Sequence, residues 1–286
     1  MKVLVSGATG TTGSEVLSRL RDSGSDVRAM TRNAEVAASM RAQGLDVVLA
    51  DMADPPSLRP ALFGVDAVYV ATSASPEIAV QEGNLARAAA AAGVRHLVKL
   101  SVIGCSPESP IEFGRLHAAA EQAVKDSGVR WTMVRPNGFM QNTLAWATQI
   151  ARGTVHLPVM DARWSIVDVR DIGDVVAAVI GDPDTHGGEA YTLTGPEPSS
   201  PREQVAILAE LLGREILAQE VSIEQAEASM REMGVPEWSV QRLGELFGVY
   251  ADGLAEAVSP DINQLAGHPA RNYRQFAQDH LRSFAG

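Results

Sequence analysis

The glycine-rich run GATGTTG at 7–13 is the part of this sequence whose residue types and spacing point most directly to a chemistry. Its three glycines stand three residues apart, directly after a short apolar run and before a segment with helical periodicity. Glycines so placed let the backbone turn tightly and approach a pyrophosphate, while the unpaired N–H groups at the helix start attract its negative charge. The run predicts dinucleotide binding, with a purely structural turn as the alternative. The predicted contacts are Gly7, Thr9, Gly10, Thr11, Thr12 and Gly13.

The residue that follows the second predicted strand, Arg32, indicates which dinucleotide is bound. In a nucleotide-binding fold of this kind the residue at this point faces the adenosine ribose, and a carboxylate there accepts hydrogen bonds from the 2′-hydroxyl. No carboxylate occurs here before Glu35, and the planar guanidinium of Arg32 is suited to donate to a 2′-phosphate. The sequence therefore predicts NADP(H) as the cofactor. The alternative is that Arg32 is only a solvent-exposed residue at the start of a helix.

Side chains after the remaining predicted strands complete the candidate site, because ligands of open α/β sheets bind at the carboxyl ends of the strands. Asp51 would accept a hydrogen bond from the adenine amino group and Met52 would pack on the ring, although Asp51 could equally cap a turn before Pro55. Thr72 and Ser73 follow the fourth strand and are either cofactor contacts or ordinary loop residues. The other predicted cofactor contacts are Ser101, His117, Pro136, Asn137 and Phe139.

These residues require a parallel sheet flanked by helices, and the first half of the sequence has the alternation that predicts one. Strands are expected near 2–6, 26–31, 46–50, 66–71, 95–101 and 130–135. Helices are expected near 11–23, 34–42, 56–62, 78–92 and 113–127. A glycine suited to the left-handed turn after a helix follows each of them, at Gly24, Gly44, Gly64, Gly93 and Gly128. The predicted fold is α/β, a Rossmann-like doubly wound parallel sheet.

After Pro136 the pattern changes, and we expect a small α+β C-terminal lobe that carries the substrate side of the site. Its predicted elements are helices near 139–151, 170–181 and 201–212, strands near 164–167 and 189–193, and one strand with amphipathic helices over 216–258. The predicted domains are therefore 1–136 for the nucleotide and 137–286 for the substrate, with segments near 164–193 returning to the first. Candidates for an aromatic substrate wall, if they are not core residues, are Trp146, Trp164, Trp238 and Phe247.

The composition of the 286-residue chain excludes several classes of protein. With 24 Lys and Arg against 35 Asp and Glu, the net charge of −11 disfavours contact with nucleic acid or an anionic membrane surface. The single cysteine, Cys105, excludes an internal disulfide and a four-cysteine zinc site, and we expect no metal. No apolar run reaches the length of about 18 residues that a membrane span requires. We expect a cytoplasmic monomer or homodimer that acts on a small molecule.

Several motifs together resemble the atypical short-chain dehydrogenases/reductases, and within them the NmrA-like family. The motifs are GATGTTG at 7–13, TRN at 31–33, FGRLHAAAE at 113–121, SG at 127–128, RPNGFMQN at 135–142 and VDVRDI at 167–172. The resemblance covers nearly the whole chain and implies an NADPH-dependent oxidoreductase. That family includes quinone oxidoreductase-type and triphenylmethane reductase-type enzymes, and also NmrA-type redox-sensing regulators. A non-catalytic NADP-binding sensor is therefore an alternative that the resemblance leaves open.

Most members of the wider superfamily reduce carbonyl groups with a Tyr-x-x-x-Lys pair, which this sequence lacks. Phe113 and His117 stand at the matching positions, and Ser101 matches the family's serine after the fifth strand. The resemblance thus implies catalytic roles for His117 and Ser101. His117 would donate a proton or hold the nicotinamide ribose, and Glu121, one helical turn onward, would favour the charged imidazole. Otherwise His117 is a packing histidine.

The missing tyrosine also bears on the substrate. Hydride transfer to a quinone leaves a phenol-like oxyanion whose pKa is about 10 by analogy with tyrosine, whereas an isolated ketone leaves a far more basic alkoxide. The quinone therefore hardly needs a strong acid. The expected substrate is an aromatic or quinonoid small molecule, namely a quinone, an enone or an aromatic carbonyl compound. An aromatic ketoreductase of a secondary-metabolite pathway remains a further alternative.

Overall fold

The computed structural model describes residues 1–285, and its N-terminal half alternates strands and helices as the sequence predicts. The strands are β1 Lys2–Val5, β2 Asp26–Thr31, β3 Asp46–Leu49, β4 Ala67–Val70, β5 His96–Leu100 and β6 Trp131–Pro136. The helices between them are α1 Thr11–Asp22, α2 Ala34–Ala42, α3 Pro55–Ala61, α4 Ile78–Ala91 and α5 Glu112–Lys125. The five glycines after these helices have φ between +70° and +81°, the left-handed conformation that glycine adopts without strain.

Seven parallel strands form the central sheet in the order β3-β2-β1-β4-β5-β6-β8, where β8 is Ala190–Leu193. The chain winds outward from β1 in one direction to β3 and in the other through β4 to β8, which is the doubly wound topology of a Rossmann-like fold. This confirms the predicted fold class. Because the order reverses between β1 and β4, a crevice opens at the carboxyl ends of these two strands.

Helices cover both faces of the sheet and bury two separate apolar clusters. On one face, α1 and α7 (Val169–Gly181) pack together and bury Val16 and Val176. On the other face, α3, α4 and α5 bury side chains such as Leu85 and Val124. A fully buried side chain of this size stabilises a fold by about 1.5–3 kcal/mol. These contacts hold the carboxyl ends of the strands in fixed relative positions.

Residues 169–193 lie with the central sheet although they follow the start of the lobe in sequence. The Asp168 carboxylate begins α7 by accepting a hydrogen bond from Arg170 N at 3.0 Å. β8 then pairs with β6 at the edge of the sheet. The division into domains 1–136 and 137–286 stays a prediction.

Most elements beyond β6 build the lobe around a third apolar cluster that includes Met140, Trp164, Tyr250 and Phe276. In the order of the chain they are a 3-10 helix Met140–Trp146, α6 Ala147–Ala151, β7 Thr154–Leu157, α9 Pro201–Leu212, β9 Leu217–Glu220, α10 Ile223–Glu232, α11 Glu237–Ala251, α13 Tyr273–Asp279 and α14 Leu281–Ala285. The short helices α8 Pro183–His186 and α12 Asp261–Ala266 pack against α7 instead. Among residues 1–285, no helix is both long and apolar enough to cross a membrane.

Two predicted elements of the lobe differ from the structure. The strand expected near 164–167 is wrong, because Trp164 and Val167 make only isolated bridges to Ser199 and Phe139. The run WSIV is apolar because it packs into the lobe and the sheet, and a short apolar run does not reveal whether its backbone pairs with a neighbour. The helix expected near 139–151 is a 3-10 helix followed by a short α-helix. β7 and β9 pair in parallel and form a separate two-stranded sheet. β9 lies within the segment 216–258 where one strand was expected, whereas β7 was not predicted.

Candidate active site

A cleft of about 400 Å³ lies at the carboxyl ends of β1 to β4. Seven of the predicted cofactor contacts line it, namely Gly7, Thr9, Arg32, Asp51, Met52, Thr72 and Ser73. The remaining lining residues are apolar or uncharged and come from the same strand ends, from the loops that follow them and, for Gln81, from α4. The structure therefore brings together residues from four strands at the place where a doubly wound sheet binds its ligand.

The glycine loop forms the floor of this cleft and leads into α1. Gly10 N donates to Gly7 O at 2.8 Å, and α1 begins at Thr11 with no acidic residue in its first turn. A Cβ on Gly13 would lie 2.1 Å from Gly7 O, so only glycine permits this close approach of helix and loop. Thr12 is buried, whereas Thr9, Gly10 and Thr11 are exposed. The exposed backbone and the free helix start fit a pyrophosphate.

Arg32 lies at the edge of the cleft between β2 and α2, and its side chain is exposed. The turn around it is fixed by its neighbours: Thr31 Oγ1 accepts from Asn33 N at 3.2 Å, and Asn33 Oδ1 caps α2 by accepting from Glu35 N at 2.9 Å. Within residues 1–285 we find no ion pair or hydrogen bond that engages the Arg32 guanidinium. It is available to a phosphate beside the ribose, which fits NADP(H).

The side chains expected at the adenine have local contacts as well. Asp51 Oδ1 accepts from Ala53 N at 2.9 Å, so Asp51 caps a turn and also lines the cleft. Thr72 Oγ1 lies 3.9 Å from Met52 Sδ across the cleft. Asn84 Nδ2 donates to Met52 O at 2.9 Å and holds this segment against α4.

A second cavity of about 300 Å³ opens where β5 and β6 end, and His117, Pro136, Asn137 and Phe139 line it. It adjoins a third cavity of about 310 Å³ in the lobe, with which it shares Phe139 and Tyr250. Trp146, Trp164 and Phe247 line the third cavity. Together the two cavities form an apolar compartment beside the nucleotide cleft.

The aromatic side chains of this compartment are held by one another. The rings of Trp164 and Tyr250 stack with centroids 4.2 Å apart and an angle of 5° between their planes. Phe113, which stands where the superfamily tyrosine would, packs edge-on against Trp238 at 5.8 Å. Trp238 therefore supports the wall from behind rather than lining the third cavity. Tyr250 was not predicted, because its sequence position on a helix of the lobe gives no sign that it faces Trp164.

His117 is buried and lines the second cavity, and its surroundings differ from those expected. Its Nδ1 lies 3.3 Å from Lys99 Nζ. Burial and the positive charge of Lys99 lower the pKa of His117 to about 3, against a weaker opposing effect of Glu121. The expected imidazolium is therefore wrong, and His117 is neutral near pH 7.

Glu121 does not pair with His117, because it forms a two-pronged ion pair with Arg135 of β6. Arg135 Nε and Nη2 donate to the two carboxylate oxygens at 2.9 and 2.6 Å. Burial by itself would raise the pKa of Glu121, but these bonds outweigh it and the pKa falls to about 2. The carboxylate that was expected to charge the imidazole is instead neutralised by a guanidinium.

The sequence analysis missed two residues of this region, Lys99 and Glu82. Lys99 Nζ lies 2.8 Å from Glu82 Oε2, and both side chains have no exposed surface. Burial raises the pKa of Glu82, and the neighbouring Lys99 opposes that effect. A lysine inside the otherwise apolar run LVKL at 97–100 was the available signal, because a charged side chain in a buried strand requires a partner.

Two other predicted residues are less open to the cavity than expected. Ser101 is 2% exposed, and within residues 1–285 its Oγ has no hydrogen-bond partner. The Asn137 side chain is committed to the lobe, since Nδ2 donates to Ser165 Oγ at 3.0 Å and to Ala255 O at 2.9 Å. Asn137 thus fixes the chain after β6 while its neighbours face the cavity.

A separate group of possible metal ligands consists of Asp171 and Asp174 of α7 and His268 of the C-terminal segment. Its oxygens are already engaged: Arg271 Nη1 lies 3.0 Å from Asp174 Oδ2 and also contacts Asp171, and Arg19 Nε lies 2.6 Å from Asp174 Oδ1. The group is an ion-pair network that ties the C-terminal segment to α1 and α7.

Replacing Glu121 with glutamine tests the ion pair with Arg135. A depressed carboxyl pKa stabilises the fold above its unfolded value of about 4.5, and that contribution is lost as the pH falls towards 2. We expect Glu121→Gln to lower the free energy of unfolding by about 3 kcal/mol near neutral pH and by much less at about pH 3. Urea unfolding at both pH values measures this. Glu232→Gln, an exposed position, is the control, and an equal deficit at both pH values would contradict the prediction.

Comparison with known proteins places this geometry in a family. The sequence profile of the NmrA-like family matches residues 1–277. An NAD(P)H azoreductase of Xenophilus azovorans is 35% identical over 283 residues, and a (4-alkanoyl-5-oxo-2,5-dihydrofuran-3-yl)methyl phosphate reductase of Streptomyces griseus is 40% identical over 290 residues, each match covering 99% of both chains. The NADPH complex of an NADPH-dependent quinone oxidoreductase of Escherichia coli superposes with a TM-score of 0.87 at 27% identity, over 99% of this chain and 100% of that one. The chain belongs to the NmrA-like family.

Proposed function

We propose that this protein reduces a conjugated, aromatic or quinonoid small molecule that binds in the apolar compartment beside the nucleotide cleft. The observation that carries this proposal is the position of the compartment. It begins at His117 of α5 and at Phe139, which follows β6, and extends into the lobe between Trp146, Trp164 and Phe247. Apolar walls with few polar groups suit a flat, weakly polar substrate.

The protein is an NAD(P)H-dependent oxidoreductase with NADP(H) as its cofactor. Family membership, relatives named as reductases at 35% and 40% identity, and the shared fold with an NADPH complex support this. When bound, the cofactor supplies a hydride. The glycine loop and the start of α1 would hold its pyrophosphate, and Arg32 would hold the 2′-phosphate.

The remaining residues position the substrate and exclude water. Phe139 and Pro136 form part of the wall where β6 ends, and the stacked Trp164 and Tyr250 rings line the lobe side. Holding two reactants in contact in a dry compartment is most of what hydride transfer asks of a protein. The compartment needs no charged group for that purpose.

The protonation state of His117 favours conjugated acceptors over isolated ketones. A neutral imidazole can donate a hydrogen bond to an oxygen, but it is a poor acid. A reduced quinone tolerates this because its oxyanion is weakly basic and takes its proton from water, whereas an alkoxide needs a proton during the transfer. A quinone, an azo group and a 5-oxo-2,5-dihydrofuran ring, which appear in the names of the relatives, are all conjugated electron acceptors.

Oxidation of NADPH by the purified protein tests the proposal directly. A panel of quinones, enones, azo compounds, aromatic ketones and simple ketones is compared at equal concentrations. Turnover of the first three classes without simple ketones supports the proposal, and turnover of aromatic ketones alone supports the ketoreductase alternative. Tight NADPH binding with no turnover of any class supports the sensor. A cytoplasmic monomer or homodimer is part of the proposal, and fractionation of cells and light scattering test it.

Replacing His117 with alanine is expected to lower turnover, or NADPH affinity, at least tenfold. The expected loss corresponds to one hydrogen bond to the substrate or to the nicotinamide ribose, about 1.4 kcal/mol or more. Steady-state kinetics and calorimetry separate the two effects. His156→Ala, an exposed histidine of β7, is the matched control. If His117→Ala keeps full turnover and affinity, His117 is only a packing residue.

A further inference from the structure

Lys99 is buried in the middle of the central sheet, and its ammonium group meets three acceptors. Glu82 Oε2 of α4 lies at 2.8 Å, Leu100 O at 2.9 Å and His117 Nδ1 of α5 at 3.3 Å. An ammonium group has three hydrogens and no acceptor site. Hydrogen bonds to Leu100 O and His117 Nδ1 use two of these donors, and Glu82 forms a buried ion pair with the same group.

This arrangement decides which ring nitrogen of His117 carries the proton. A neutral imidazole has one N–H, and an ammonium neighbour can only donate. Nδ1 must therefore be the acceptor, and the proton resides on Nε2. Among residues 1–285 we find no hydrogen-bond partner for Nε2, and His117 lines the second cavity. The ring thus has a free N–H on the side away from Lys99.

The charged groups around the His117 ring keep the imidazole neutral and protonated on Nε2. Lys99 of β5 faces Nδ1, and Glu82 of α4 balances the lysine charge from behind. Glu121, on the same helix as His117, is neutralised by Arg135 of β6. Cys105, in the loop after β5, lies near Glu121 and burial raises the pKa of its thiol, so the loop adds no charge near neutral pH.

We propose that Lys99, held by Glu82, is a positioning residue that fixes His117 as the tautomer donating a hydrogen bond from Nε2 into the second cavity. The group it would meet is an oxygen acceptor, either a carbonyl oxygen of the substrate or a hydroxyl of the nicotinamide ribose. The use of this donor in reduction rests on the proposed function. The tautomer itself does not, because it follows from contacts within the chain.

Nitrogen-15 NMR of the full chain labelled in its six histidines tests the tautomer without any turnover. The signals of His117 are identified by their loss in His117→Gln. We expect a protonated Nε2 and a hydrogen-bonded, unprotonated Nδ1, both unchanged between about pH 5 and about pH 8. A protonated Nδ1, or a His117 that titrates within this range, would overturn the proposal. This measurement needs only the wild-type fold.

Variants then show whether Lys99 is responsible. Glu82→Gln/Lys99→Met removes both buried charges together, which avoids leaving one of them unpaired. We expect its His117 Nδ1 signal to lose the shift of a hydrogen-bonded nitrogen. Lys125→Met removes a lysine that contacts Glu121 and not His117, and it should leave the His117 signals unchanged. A folded double variant with an unaltered Nδ1 signal would refute the role of Lys99.

Steady-state kinetics test the role of Lys99 in a second way. If the proposed function holds, the double variant should lose about tenfold in kcat for a quinone, the effect of one misdirected hydrogen bond. Lys125→Met should retain its kcat. A wild-type protein with the expected tautomer but no turnover would refute the proposed function and leave the tautomer standing. An unchanged kcat with an altered Nδ1 signal would show that the Nε2 donor is not used in reduction.

Discussion

Replacing Arg32 with alanine is expected to raise the dissociation constant for NADPH by about 10- to 150-fold and to change that for NADH little. This range corresponds to a charge-assisted hydrogen bond of about 1.5–3 kcal/mol. The Arg32 guanidinium is exposed at the edge of the cleft, and within residues 1–285 it has no competing carboxylate, so its charge is available to a phosphate. Because NADH lacks the 2′-phosphate, its complex with the Arg32→Ala variant loses no specific contact.

Calorimetric titration with both reduced nucleotides measures the ratio of the two losses. Arg21→Ala is the matched control, because it removes the same charge from the exposed last turn of α1, at the end of that helix away from the glycine loop. Any decrease seen in Arg21→Ala reports the general loss of positive charge and is subtracted. Equal losses for NADPH and NADH in Arg32→Ala would remove the assignment of Arg32 to the 2′-phosphate.

Replacing Gly13 with alanine is expected to weaken NADPH binding by more than about a hundredfold and to destabilise the fold by about 1–3 kcal/mol. Within α1, alanine would by itself be the better helix former by about 1 kcal/mol. The added Cβ, however, would lie 2.1 Å from Gly7 O and 2.6 Å from Gly7 C. The loop must move to relieve these contacts, and the pyrophosphate site moves with it.

The control for this change is Gly181→Ala at the end of α7, where an added Cβ meets no atom within 4 Å. We expect that variant to bind NADPH normally and to be as stable as the wild type or slightly more so. Urea unfolding and calorimetry of the two variants separate the helix preference for alanine from the close approach to the loop. A stable Gly13→Ala variant with normal NADPH affinity would show that the loop does not hold the pyrophosphate.

Local sequence signals determined the nucleotide half of this protein. The glycine run, Arg32 after β2 and the glycines after five helices each act within a few residues of their own position. Backbone conformation and strand direction depend on such short-range preferences. The sheet, its doubly wound class and the residues along the cleft therefore followed from the order of the elements. The resemblance to the short-chain dehydrogenases/reductases, rather than these signals, identified Phe113 at the place of the superfamily tyrosine, and hence the loss of its hydroxyl.

Only the tertiary structure decided the charge state of the site. Glu82, Lys99 and His117 come from α4, β5 and α5, and nothing in their spacing shows that the three side chains meet. The helical periodicity correctly put Glu121 one turn from His117, but it could not show that Arg135 of β6 would pair with that carboxylate. A pKa depends on burial and on every charge within a few ångströms, whatever the sequence separation of the groups.

The apolar compartment likewise results from the packing of segments that are distant in sequence. Trp164 was a candidate from its type alone, but its stacking on Tyr250 requires that α11 fold back across the lobe. Aromatic side chains have the same hydrophobic pattern whether they fill a core or line a cavity, because both remove them from water. The sequence by itself therefore determined which side chains line the cleft at the ends of β1 to β4, and the packing of the lobe against the sheet decided which cavities lie beside it.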